Sequence, residues 1–229
     1  VGLLDTILGR SKQVRPDLDA LFALPSAAVT LETAAGLVLS GRAGVVWKPP
    51  AGRSVDEAQQ EIAELLEIDD GPSGTEGGAT DGRSANGGTA GGTTPADPSV
   101  TSLTPDRPGV LSQEVDTFGF RWLLLEDSDT EQLVTRVHMV NTLLTEHGWG
   151  PQLLCSVFGV SPAPGAGSED HAFYLVYLFK RGTFYPFAPV GSQRRDTELE
   201  LRIRGVLGSD LPVEQDLSRW FPLWDLPLR

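Results

Sequence analysis

Histidines, one cysteine and a few paired carboxylates are the side chains in this sequence that could do chemistry. The three histidines are His138, His147 and His171, and Cys155 is the single cysteine. His138 and His147 stand nine positions apart on one predicted helix. Two imidazoles that share a metal from one helix need i, i+4 spacing, which these lack. Glu169, Asp170 and His171 adjoin one another at a predicted loop-to-strand edge. They could ligate a metal, but a solvated loop is the preferred reading. A nucleophilic cysteine needs an electropositive, partly open setting. The run Leu153-Leu-Cys-Ser-Val-Phe158 instead predicts that Cys155 is a small core side chain in a strand. Asp69-Asp70 opens a polar segment, and Glu198-x-Glu200 has i, i+2 spacing on a predicted helix, where carboxylates diverge. Both pairs are expected on solvated faces. No Gly-x-Ser-x-Gly elbow, Walker loop or dinucleotide fingerprint occurs. The expectation is a protein with no enzymatic activity, cofactor or metal. An enzyme using Cys155 or His171 is the weaker alternative.

Other residues are better suited to binding. Leu3, Leu4, Ile7 and Leu8 form an apolar stripe at helical spacing, followed by Arg10, Lys12 and Arg15. A short amphipathic helix with a basic flank can lie on an anionic membrane surface. Docking on a partner or on the protein's own core is the preferred reading, because an isolated short helix is marginal. Lys180-Arg181-Gly182 is the predicted tip of a hairpin, where basic side chains would meet a partner. Arg194, Arg195, Arg202 and Arg204 interleave with Asp196, Glu198 and Glu200, which predicts helix-face ion pairs of small worth. Trp220 and Trp224, in an aromatic tail, are candidate interface anchors, although clamping the core is the favoured reading of that tail.

The elements that must position these residues are legible as patterns. Phe173–Phe179 and Thr183–Pro189 are aromatic and β-branched and flank Arg181-Gly182, which predicts a hairpin. Both of its faces are apolar, so it is expected at the centre of a sheet, covered by a helix. Further strands are predicted at 27–31, 36–39, 44–48, 111–116, 120–126 and 153–160. Ser54-x-x-Glu57 and Ser128-x-x-Glu131 match the capping box that starts helices. The first is followed by Val55, Ala58, Ile62, Leu65 and Leu66. The second is followed by Leu133, Val137, Val140 and Leu144, ending at His147-Gly148. A third helix is predicted from near Arg195 to Leu207. The order strand, strand, helix recurs, which predicts an α+β fold. Its antiparallel sheet carries helices on one face and could comprise two related halves.

Composition sets the limits. The chain has 229 residues and a formal net charge of -13. That excludes a general nucleic-acid binder, which needs a basic footprint. Residues 69–109 are rich in Gly, Ser, Thr, Pro and Asp and are expected to be a disordered linker. It divides an N-terminal segment (1–15) and a first α+β part (16–68) from a second part (110–229), and the two parts are expected to share one core. No apolar run approaches the ~20 residues of a transmembrane helix. The expected location is the cytoplasm, at most peripheral to the inner face of the membrane.

Several stretches resemble one family. They are Gly2-Leu-Leu-Asp-Thr-Ile-Leu-Gly-Arg10, Pro16-Asp-Leu-Asp-Ala-Leu-Phe-Ala-Leu-Pro-Ser-Ala-Ala28, Gly150-Pro-Gln-Leu-Leu-Cys155, the hairpin, and Asp216-Leu-Ser-Arg-Trp-Phe-Pro222. Together they resemble the PspA-associated proteins called PspAB. The resemblance implies a place near the phage-shock response, in which the membrane-binding coiled-coil protein PspA guards the envelope. It also implies PspA or another envelope-stress protein as partner, and it supplies no catalytic residue. The linker looks longer than such a family needs. The element order is also similar, at fold level only, to secretion chaperones. The expected function is therefore an adaptor in membrane-stress signalling, with a chaperone-like client-binding module as the alternative.

Overall fold

The computed structural model describes residues 16–50, 52, 54–66, 110–165, 171–191 and 193–228. The apolar-basic stretch at 1–15 and the Gly-rich segment lie outside them.

A 3-10 turn, Leu18–Ala23, leads into helix α1 (Leu24–Ala35), strand β1 (Leu37–Trp47) and helix α2 (Val55–Leu66). The second part supplies β2 (Val110–Val115), β3 (Arg121–Glu126), α3 (Thr130–Glu146), β4 (Leu153–Pro162), β5 (Phe173–Leu178), β6 (Thr183–Phe187) and α4 (Thr197–Leu207). The six strands form one antiparallel sheet in the order β2-β3-β1-β4-β5-β6. β1 comes from the first part and lies between β3 and β4 of the second. The fold is α+β, with one hydrophobic core running through both parts.

The register sorts the residues into faces, because side chains alternate along each strand. Val45, Ser156 and Tyr177 are cross-strand neighbours on one face. The helices gather there. Asn141 of α3 donates its side-chain amide to the Ser156 hydroxyl (3.0 Å), and the Tyr177 hydroxyl donates to the Asp17 carbonyl (2.7 Å). Gln113, on the same face of β2, donates to the Gln59 carbonyl of α2 (3.2 Å). The opposite face carries Val46, Trp122, Cys155, Val157, Val176 and Tyr185. The C-terminal segment crosses this side. The Tyr185 hydroxyl donates to the Phe221 carbonyl (2.7 Å), and Trp220 stacks on the Tyr185 ring.

The predicted helices form, with one change of cap. The Ser54 hydroxyl accepts from the Glu57 N–H, as a capping box requires. At α3 the cap is Asp129, not Ser128. The Asp129 carboxylate accepts from the N–H groups of Glu131 (2.8 Å) and Gln132 (3.0 Å), because a charged acceptor makes the stronger bond at a positive helix end.

Three expectations are corrected. Residues 27–31 are helical, inside α1. Pro25 occupies its first turn, where a missing N–H is harmless, and Leu24, Ala27 and Leu31 are buried on one side. The strand–strand–helix order therefore fails in the first part, which reads helix, strand, helix. Residues 36–39 and 44–48 belong to one long strand with a bulge, in which Ser40, Gly41 and Arg42 oppose Gly159 alone. A Cβ at Gly159 would lie 2.3 Å from the Ser40 hydroxyl oxygen, so glycine makes room for the bulge. The hairpin occupies one end of the sheet, and β1 and β4 are central. β6 tolerates Pro186 because it is an outer strand. Among the described residues its outer flank is bridged at Phe184, by Val213.

Leu18–Ala35 forms a continuous helical stretch of 18 residues whose length and composition would also suit a membrane crossing. The packing of α1 against β1, α3 and α4 accounts for its inner side. Phe22 and Val29 are exposed on the other.

Candidate functional site

The β5–β6 hairpin and the C-terminal segment hold Lys180, Arg181, Gly182, Trp220 and Trp224, the partner-binding candidates that fall among the described residues. After Leu178 the chain turns, and the N–H groups of Arg181 and Gly182 both donate to the Leu178 carbonyl (3.0 Å each). Gly182 has φ 67, a left-handed conformation that glycine adopts freely. It is buried, and a Cβ there would come within 2.9 Å of the Asp17 side chain.

The tip is tied to the fold. The Lys180 ammonium donates to the Pro151 carbonyl (3.1 Å) while remaining exposed. Arg181 pairs with Glu214, whose side chain is buried. Glu214 also accepts from the Thr183 hydroxyl (3.1 Å) and the Asp216 N–H (3.1 Å). Burial pushes the Glu214 carboxyl up, but these donors and the Arg181 charge outweigh it and hold it below the ordinary range. The net effect favours the charged form.

Trp220 is buried, and its indole N–H donates to the Glu214 carbonyl (3.0 Å). Trp224 is half-buried and meets Phe187 edge to face, 5.3 Å between centroids. Trp224 also lines a cavity of about 260 Å³ with Tyr174, Pro189, Gln193, Asp225 and Leu226. Gln193 (φ 53) and Asp225 (φ 58) are non-glycine residues in the left-handed region, and the Asp225 carboxylate accepts from the Thr117 hydroxyl (2.8 Å).

Glu200 lies elsewhere than the sequence implies. It is buried, not solvated, and accepts from Arg195 and from the Ala188 N–H (2.9 Å). Arg195 in turn donates to the Trp220 carbonyl (2.7 Å) and stacks over Phe187, 5.3 Å from its centroid. The partners of Glu200 come from the end of β6 and the approach to α4, which the i, i+2 spacing of Glu198 and Glu200 does not reveal. Glu214 carries no motif at all.

Cys155 is buried, and desolvation pushes its thiol up to about 12, so it has almost no thiolate at neutral pH. His138 stacks against Phe22 at 4.8 Å, and the His147 ring lies 2.9 Å from the Leu143 carbonyl. Among the described residues no three His, Cys, Asp or Glu side chains converge on a common point. Glu169 and Asp170 fall outside the described residues, as do Leu3, Leu4, Ile7, Leu8, Arg10 and Lys12.

Neither a curated protein nor a solved structure matches the chain. A family model described as PspA associated protein B matches residues 1–82 and 101–228. The unmatched stretch, 83–100, falls inside the Gly-rich segment. With the match covering the helical entry, the whole sheet and the C-terminal segment, the chain belongs to the PspA associated protein B family.

Proposed function

We propose that this protein is a non-enzymatic adaptor in a PspA-related membrane-stress response, working by binding a PspA-like coiled-coil protein. The family membership carries this reading. It is supported by the apolar stripe of Leu3, Leu4, Ile7 and Leu8 with Arg10 and Lys12 behind it, a composition suited to a coiled-coil partner or an anionic surface. The burial of Cys155 in the core is in keeping with this reading. On this reading the protein works in the cytoplasm, at the inner face of the membrane. The test is capture of the chain by immobilised PspA, paired with flotation on anionic vesicles, each with and without residues 1–15. Capture that depends on those residues supports the reading, and no capture of the full chain would sink it.

A second reading is a chaperone-like module that holds a client segment. The outer strand β2 favours it, since Leu111 and Val115 are exposed there and Phe118 follows in the turn. An extended client could add to such an edge. Saturable binding of an unfolded model substrate, lost in Leu111→Lys, would support it. No binding would remove it.

A further inference from the structure

The outward face of α3 carries a cavity of its own, about 280 Å³ in volume, lined by Thr135, His138, Met139, Thr142, Leu143 and Glu146. These positions advance by alternating steps of three and one along the helix, so α3 presents two parallel ridges with a groove between them. Ridges of this kind seat a second helix. The inner face of α3 is already engaged, with Leu133, Val137, Val140 and Leu144 in the core. The Thr142 hydroxyl oxygen is buried and lacks a hydrogen-bond partner among the described residues.

The chain enters the fold beside this groove. Asp17 is anchored by Tyr177. The turn that follows places Phe22 4.8 Å from the His138 ring and Asp19 3.8 Å from its Nε2. Phe22 is half exposed there and extends the apolar surface toward the entry point. Residues 1–15 immediately precede. As a helix they would span about 22 Å, against about 16 Å from Thr135 to Glu146. Leu3, Leu4, Ile7 and Leu8 recur at i, i+1, i+4 and i+5, again two ridges. Arg10, Lys12 and Arg15 complement Asp19 and Glu146 on a strongly acidic chain.

We propose that the groove on the outer face of α3 is the docking site of this chain's own residues 3–15. The stripe lies over Met139 and Leu143, and the basic residues, nearest in sequence to Pro16, face Asp19. The stripe that the adaptor reading offers to a partner or a membrane is then covered in the free protein. A partner must compete with α3 for it. The docking itself does not depend on the adaptor reading.

Met139 is the only methionine in the chain, so methyl-labelled methionine gives a single NMR signal from inside the groove. A nitroxide on Thr6→Cys is selective, because the buried Cys155 is spared. In the dilute full-length chain, with no partner and no lipid, the nitroxide is expected to remove most of the Met139 intensity. Reducing the nitroxide should restore it. Adding Leu4→Asp and Ile7→Asp to the labelled chain should also restore it while the signal keeps its folded position. Full intensity beside the intact nitroxide would overturn the proposal. So would broadening seen only when methyl-labelled and nitroxide-labelled molecules are mixed, which would make a second copy the occupant. Capture by PspA is a separate readout, so either result can fail without the other.

Discussion

Arg195 and Glu200 lock three parts of the chain together, with the Arg195 Nε 2.8 Å from both carboxylate oxygens of Glu200. Glu200 is only 1% exposed and also receives the Ala188 N–H at the end of β6. Arg195 reaches on to the Trp220 carbonyl. One ion pair therefore joins the outer strand, the start of α4 and the segment that covers the far face of the sheet.

Removing one partner should be far worse than removing both. Glu200→Ala leaves a guanidinium largely out of water, and a loss of about 3–5 kcal/mol is expected. The double change Arg195→Met with Glu200→Leu should recover most of it, since well-packed apolar residues often replace a buried pair at little cost. Urea titrations followed by tryptophan fluorescence measure both. Equal losses in the single and double variants would show that the pair contributes no specific stability.

At the hairpin tip, Gly182→Ala should destabilise by about 1–3 kcal/mol. The new methyl group meets the Asp17 side chain, and the backbone stays in a region that costs other residues strain. The expected sign is a lower denaturant midpoint with an unchanged slope. Lys180→Ala, which removes one exposed contact, should stay within about 0.5 kcal/mol of the parent.

Asp129→Ala should cost about 1 kcal/mol, the usual worth of a helix cap. Ser128→Ala, one residue earlier, should cost little. Thermal unfolding of the two variants side by side distinguishes them, and a larger effect at Ser128 would contradict the assigned cap.

Alkaline conditions should weaken the fold through buried groups that keep their protons in the native state. Burial raises the Cys155 thiol from an ordinary 9.0 to about 12. Burial, then the Asp17 and Asp19 carboxylates, raise the Tyr177 hydroxyl above its ordinary 10.0. The folded state keeps protons that the unfolded chain gives up. This contribution is whole below about pH 9 and is lost progressively as the pH climbs toward 12. Cys155→Ala should flatten the first part of that decline in urea midpoints measured across the range. Glu214 has the opposite sign. Its lowered pKa contributes stability above the ordinary carboxylate range, lost as the pH falls through its folded value.

The legible parts of the fold were those set by local chemistry. The hairpin declared itself through aromatic and β-branched residues around Gly182, and α2 through Ser54 and Glu57 ahead of an apolar stripe. Residues 27–31 misled because Val29 and Thr30 favour strands when read alone, whereas Pro25 and the pairing of Ala27 with Leu31 decide for helix. The place of β1 in the middle of the sheet was illegible, because strand partners are chosen across the whole chain. The same holds for Glu200 and Glu214. Their burial depends on Arg195, Arg181, Ala188 and Asp216, which converge only after the sheet has formed.

The position of β1 also has a temporal consequence. Both of its neighbours, β3 and β4, are made after it, and β4 ends at Pro162. At roughly 5–20 residues per second, the ribosome needs on the order of ten seconds to travel from Trp47 to the end of β4. Once clear of the ribosome, an apolar strand ending in Val45-Val46-Trp47 has neither flank paired until β3 follows it, and its β4 flank stays open longer still. A nascent chain of this kind is a natural client for whatever shields unfolded segments during synthesis.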